Sequence, residues 1–423
     1  MIMLSRMAPH WRTALLISFL SVSAGPLGAF ATHFRSGIIS YAPNRQDPTL
    51  LDVTVTSSWA TNDNLDIYVR TPQAGNQDAF DTNRNDFVGD GYDPAGNYYL
   101  TLRTTRSIPV PTDLPALINT WGCCRIEGLV GYGDYDGYNE YKDFAFATMY
   151  VAGAPSSIIV DALPFMIAGQ AASGGLAYFF VPAISPRGGA INCSINRDIA
   201  FTDPYELTVT PITGGCSIGW NNSEYSIGAT APVGLRVTDT ATGQYNDITF
   251  LVTMVDPKLA PVVTSVTSTG KTLPQASGNI TILIQTQVQV VITATDPFNG
   301  TLTAASSSLP LGATLTTTPR GGASSVTVTF TWTPTIANNG SGIVLIVIRS
   351  SSYLYTTVSF SYKVIRPTPP FPPPPPSPYP PSPPPRRPPP PSPSPPRPPP
   401  PSPPPPRPPP PLRLPPAPLP PLR

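Results

Sequence analysis

Apolar and polar residues alternate with a period of two over many short stretches of this chain. The clearest is Leu50–Trp59, where Leu51, Val53 and Val55 fall on one face and Asp52, Thr54 and Thr56 on the other. Leu65–Val69, Tyr98–Arg103 and Phe144–Val151 repeat the pattern, and Gly, Asn, Asp and Pro clusters of turn chemistry separate them. Further along come Tyr178–Val181, Tyr205–Thr210, Gly234–Asp239 and Asp247–Val255. The last set is Ile280–Ile284, Gln287–Thr295, Ser325–Trp332, Gly342–Arg349 and Tyr353–Val364. No stretch keeps helical spacing for more than about two turns, so the chain is expected to be all-β. Thr/Val-rich strands spaced by roughly 8–12 residues indicate sandwiches. The expected division is an N-terminal all-β domain (32–161), a β-sandwich-like module (162–257) and a second sandwich module (260–366). The two modules read as a repeat: FTDPYELTVTPITGGCSI from Phe201 aligns with ATDPFNGTLTAASSSLPLGATL from Ala294, and FLVTMVDPKLAP from Phe250 with FSYKVIRPTPP from Phe360.

Both ends depart from this pattern. Residues 367–423 are dominated by proline, which donates no N–H and fixes φ, so neither helix nor sheet ladder is open to them. Polyproline II is the expected form, on the order of 180 Å if fully extended. Arg386, Arg387, Arg397, Arg407 and Arg413 punctuate the tail without acidic partners there. At the other end, Arg6, His10 and Arg12 precede the apolar run Thr13–Val22, and Ala29-Phe30-Ala31 has the A-x-A form of a cleavage site. Residues 1–31 therefore read as a secretory signal peptide, and no second run of spanning length follows.

A secreted chain changes how the cysteines read. Cys123, Cys124, Cys193 and Cys216 make an even set, which implies two bridges in an oxidising compartment. A Cys123–Cys124 ring would be small and strained. The expectation is that these two reach Cys193 and Cys216 in either order, stapling the first region to the second. Zinc is disfavoured, because the chain's two histidines, His10 and His33, lie far from the cysteines. Acceptor sequons N-x-S/T stand at Asn192, Asn221, Asn279, Asn299 and Asn339. Net charge is +1 with 12% charged residues, so no nucleic-acid footprint is visible.

Candidate chemistry is confined to two acidic loops, Asp78–Asp93 and Gly133–Asp143. Hard cations take several closely spaced oxygen ligands. Asp81, Asn83 and Asn85 have the opening spacing of an EF-hand loop, but Asp86 and Tyr92 occupy the places of its glycine and glutamate. Two readings stand: a β-loop calcium site using Asp81, Asn83, Asn85, Asp134 and Asp136, or solvated turns in which these residues suit the backbone. Paired carboxylates for glycoside hydrolysis lack an apolar setting to raise a pKa, and a Ser-His-Asp triad would have to use His33 beside the expected new N-terminus. No catalytic residue is assigned and no cofactor is required; calcium is the one ion the loops would take.

Two resemblances extend the reading. Thr295-Asp296-Pro297, Leu309-Pro310-Leu311-Gly312-Ala313 and Phe330-Thr331-Trp332-Thr333-Pro334 resemble cadherin-like or immunoglobulin-like repeats of secreted adhesins. That implies a β-sandwich spacer or adhesion module without catalysis. The tail blocks at Ser377, Ser382, Ser392 and Ser402 resemble hydroxyproline-rich glycoproteins of plant and green-algal walls, pherophorin-like in layout. This implies hydroxylated, glycosylated prolines and a place in a cell wall or extracellular matrix. The expected function is that of a secreted structural glycoprotein whose partners are matrix glycoproteins and polysaccharide, with no membrane span after signal removal. The alternative is a calcium-assisted carbohydrate- or cell-adhesion protein.

Overall fold

The computed structural model describes residues 34–60, 65–72, 75–82, 87–123, 125, 129, 143–196, 207–269, 271–306, 308–338 and 340–366. The expected signal peptide and Pro-rich tail lie outside them. Among the described residues every element is a β-strand except a 3₁₀ turn at Ile336–Asn338. The alternation that marked Leu50–Trp59 holds, with Leu51, Val53 and Val55 buried.

The first region folds two four-stranded sheets over one core. One is β1 (Phe34–Pro43), β2 (Leu50–Trp59), β6 (Tyr98–Pro109) and β5 (Phe87–Tyr92). The other is β4 (Gly75–Asp81), β3 (Asp66–Thr71), β7 (Ala116–Cys123) and β8 (Asp143–Tyr150). Their inward residues form an aromatic core in which Phe34 stacks on Phe144 at 3.6 Å and meets Trp59 edge-on at 5.0 Å. One expectation is corrected here. Asp78–Asp93 is no continuous loop, because Asp78–Asp81 end β4 and Phe87–Tyr92 form β5. Both are outermost strands, rich in Asp, Asn and Gly with Asp78, Asp81 and Asp90 exposed, so no apolar face gives them away in sequence.

The second and third regions share one topology. In the second, β13 (Leu207–Ile212), β14 (Gly215–Trp220), β11 (Ala177–Ile184) and β9 (Ile159–Val160) face β12 (Ile191–Ile195), β15 (Thr230–Asp239), β16 (Tyr245–Met254) and β10 (Phe165–Ala168). In the third, β22 (Thr314–Thr318), β23 (Ser325–Trp332), β20 (Val288–Thr295), β17 (Val262–Ser268) and β18 (Lys271–Thr272) face β21 (Leu302–Ser306), β24 (Gly340–Ser350), β25 (Tyr355–Ile365) and β19 (Gly278–Leu283). Even the parallel pairs correspond, β10 with β16 and β19 with β25. Ile191 opposes Asp239 in one sandwich and Leu302 opposes Ser350 in the other, a shift of 111 positions (191 to 302, 239 to 350). Phe250 and Phe360 are equivalent, opposite Val233 and Val344. The alignment of Phe201 with Ala294 is corrected. Ala294 opposes Val263 as Ala183 opposes Val160, so the match to Ala294-Thr295-Asp296 is Ala183-Ile184-Ser185. The turns that follow carry Gly188 (φ 74°) and Asn299 (φ 59°) in the same left-handed position.

The expected boundary at 161/162 falls inside the second sandwich, because Ile159–Val160 already pairs with β11 and Ile158 joins its core. The first two regions are also not separate modules. Strand β16, buried from Asn246 to Met254, pairs with β15 on one edge; on the other it meets β8, β1 and β10 in turn. β1 touches it at Gly37 opposite Thr249, where a side chain would run into the Phe146 ring. The corresponding edge of β25 is closed by Gln275, whose Nε2 donates to Thr357 O (2.9 Å) and Thr356 Oγ1 (3.0 Å).

Candidate functional site

Asp81, the last residue of β4, lies in register with Asp66, the first of β3, and Asp78 opposes Tyr68. On the neighbouring strand Trp121 stacks on Tyr68 at 4.3 Å and 19° between planes, and Trp121 remains 47% exposed. The Asp81 carboxyl sits above the usual carboxylate range. A hydrogen bond shared with Asp66 is the main cause, followed by the charge of Asp66, desolvation and the charge of Asp78. This edge of the sheet is thus an acidic strip beside an aromatic pair, Trp121 exposed and Tyr68 half-buried. Of the residues expected to hold calcium, Asn83, Asn85, Asp134 and Asp136 lie outside the described residues. Among the described residues no three His, Cys, Asp or Glu side chains converge to hold a metal.

The cysteine pairing is corrected. Cys193 on β12 bonds Cys216 on β14, with Cα atoms 6.0 Å apart and a sequence separation of 23. The bridge ties the two sheets of the second sandwich to each other, not the first region to the second. Cys123 ends β7, and Cys124 lies outside the described residues. Alternation explains the pair: Cys193 points inward from β12 and Cys216 is fully buried in β14, so both enter one core from facing sheets. In the third sandwich the equivalent positions hold Ala304, opposite Ile348, and Val328, opposite Ile292. The double variant Cys193→Ala/Cys216→Val copies that pair. It is expected to fold with the same circular dichroism but to lose about 3 kcal/mol of stability, the loop-closure entropy for a loop of this length. Urea unfolding of the two proteins checks this; equal midpoints would contradict it.

The sequons Asn192, Asn221, Asn279 and Asn299 are exposed, and Asn339 lies outside the described residues. Asn221 stands beside Asn222, which is fully buried, accepting from Ala171 N (2.7 Å) and donating to Gly169 O (2.8 Å).

Sequence reading missed one feature, at the join of the second and third sandwiches. A cleft of about 360 Å³ lies between the turn at Pro186–Gly188 and the ends of β24 and β25. Arg187, Lys363 and Arg366 line it, and among the described residues no carboxylate does. Arg187 is far in sequence from Lys363 and Arg366, and only the tertiary fold brings it to them. Among the described residues no helix is long and apolar enough to cross a membrane.

No family model matches the chain, and no curated protein matches it. Solved structures give distant likenesses. An endo-fucoidan hydrolase of glycoside hydrolase family 107 is 10% identical with a TM-score of 0.21, the match covering 74% of this chain and 42% of the hydrolase. The N-terminal Ig1-2 module of the Drosophila receptor protein tyrosine phosphatase DLAR is 14% identical with a TM-score of 0.21, covering 49% of this chain and 98% of the module. The titin domains z1z2, solved in complex with telethonin, are 10% identical with a TM-score of 0.17, covering 50% of this chain and 95% of the other.

Proposed function

We propose that the protein is a secreted structural glycoprotein of an extracellular matrix or cell wall, a fused β-sandwich body extended by a Pro-rich tail. The observation that carries this reading is the Cys193–Cys216 bridge across a sandwich core. Such bridges form and persist in oxidising compartments. The fused body supports it: β16 serves two regions at once, and the duplicated sandwich adds length without a new kind of core. Exposed sequons on the second and third regions are accessible to glycan transfer.

The test is expression of the full chain in a walled eukaryotic host, with a second version ending at Arg366. The full chain is expected in the wall fraction, with Cys193 and Cys216 protected from alkylation until reduced. The shortened chain is expected in the medium. Cytosolic retention with free thiols would refute the reading.

A further inference from the structure

The cleft at the join of the second and third sandwiches has a composition that the fold does not require. Its Arg187 follows Ser185 in the turn after β11, where the backbone N–H of Arg187 donates to Ser185 Oγ (3.1 Å). The equivalent turn after β20 makes the same bond from Phe298 N to Asp296 Oδ1 (2.8 Å) and carries a phenylalanine instead. Lys363 opposes Ser341 across β24 and β25, as Thr253 opposes Thr230 across β15 and β16, so the second sandwich has threonine where the third has lysine. Arg366 follows β25 where Asp256 follows β16. One copy of the fold thus serves as a control for the other. At each of the three positions the counterpart is uncharged or acidic, yet the cations come from both sandwiches to one cleft.

We propose that this cleft binds the anionic groups of an acidic polysaccharide, sulfate esters or uronate carboxylates. Its volume is at the lower end of ligand sites, about 300–1,000 Å³. Arg187 is held by donation from its Nη2 to Gly153 O (2.8 Å), and a guanidinium so anchored still has N–H groups for an oxyanion. Lys363 and Arg366 are exposed at the end of β25, with Gly340 and Ser341 of β24 beside them and the Pro186–Gly188 turn lining the cleft as well. A saccharide chain with one or two charged groups per residue fits three cations around a shallow cleft. A nucleic acid would want a longer row of phosphate contacts than they offer.

The inference rests on the extracellular reading for where such a ligand is met, but its test does not. Binding of the full chain to dextran sulfate, polygalacturonate, neutral dextran and a single-stranded oligonucleotide is measured against salt. Dextran sulfate or polygalacturonate is expected to bind and neutral dextran not to. Lys363→Ala/Arg366→Ala is expected to weaken binding about tenfold, with the salt slope falling by about one per cation removed. Arg187→Ala should weaken it too, whereas Arg320→Ala, an exposed cation outside the cleft, should not. The tail arginines are common to all these variants and cancel in the comparison. Unchanged affinity in the double variant, equal binding of neutral dextran, or tighter binding of the oligonucleotide would overturn the proposal. Should the chain prove cytosolic while the double variant still loses polyanion, the extracellular reading fails and the cleft stands.

Discussion

Asn246→Leu is expected to cost about 4 kcal/mol and to split a single unfolding transition into two. The residue is fully buried in β16 at the seam between the first region and the second sandwich. Its Nδ2 donates to Ile39 O (3.1 Å) and Ile158 O (3.3 Å), and its Oδ1 accepts from the Thr148 hydroxyl. Leucine has similar volume but no polar atoms, so two carbonyls and a hydroxyl lose their partners, at about 1–3 kcal/mol each, partly offset by the added apolar contact. The neighbouring clamp would survive: Gln244 Nε2 donates to Tyr41 OH (2.7 Å) and Ser156 O (2.9 Å). The second sandwich keeps its own core and disulfide, so the loss falls on the attachment of the first region. Urea unfolding followed by near-ultraviolet circular dichroism checks this. A single transition displaced by less than about 1 kcal/mol would show that the seam is held by apolar packing alone.

That seam was illegible in sequence for a physical reason. Gln244, Asn246 and Asp247 belong to a stretch, Gly243-Gln244-Tyr245-Asn246-Asp247, whose composition is that of a turn. Yet strand β16 begins at Tyr245, and the Asn246 amide satisfies Ile39 O of the first region and Ile158 O of the second sandwich rather than water. The strands themselves were legible wherever one face is buried and the other wet, as in Leu50–Trp59. Strands β4 and β5 were not, because edge strands carry Asp, Asn and Gly, which signal turns elsewhere. The repeat was legible through Phe250 and Phe360, whose core partners correspond. It slipped at Asp296 because the Asp-Pro pair marks a turn without saying which strand precedes it. The cysteine pairing slipped because inference from ring size weighed only neighbours in sequence, whereas the pair is set by two strands facing each other across a core. Of the site, Asp81 was named but its pairing with Asp66 depends on the β3–β4 register, and the basic cleft depends on the packing of one sandwich on the other.

Asp296→Leu is expected to cost about 4 kcal/mol, and an exchange of side chains between Asp296 and Ser350 is expected to recover much of what either polar substitution loses. Both residues are buried. Asp296 Oδ1 accepts from Phe298 N (2.8 Å) and Gly300 N (2.9 Å), and its carboxylate also takes a hydrogen bond from Ser350. Hydrogen bonds to a charged acceptor contribute about 1.5–3 kcal/mol each, so losing the carboxylate is costly. The second sandwich solves the same problem with the roles reversed. Ser185 stands where Asp296 does, and Asp239 stands where Ser350 does. Ser185 Oγ donates to Asp239 Oδ2, and Asp239 Oδ1 accepts from Ala241 N (2.8 Å) and Thr242 N (3.0 Å). The fold therefore needs one carboxylate and one hydroxyl across these two turns and accepts them in either order. Asp296→Ser and Ser350→Asp should each destabilise, the second by burying like charges together, and Asp296→Ser/Ser350→Asp should be more stable than either. Burial alone would raise the Asp296 pKa, but the Ser350, Gly300 and Phe298 donors outweigh it and hold the carboxyl below its ordinary value, as the equivalent donors do for Asp239. A lowered folded-state pKa means stability that is present above the unfolded value and lost as pH falls through the folded one. The wild type should therefore lose stability below about pH 4, and Asp296→Ser should show a shallower decline there. If the exchanged variant is no better than the single ones, the two turns are held by their backbones, and the reversed pair is an accident of the repeat rather than its rule.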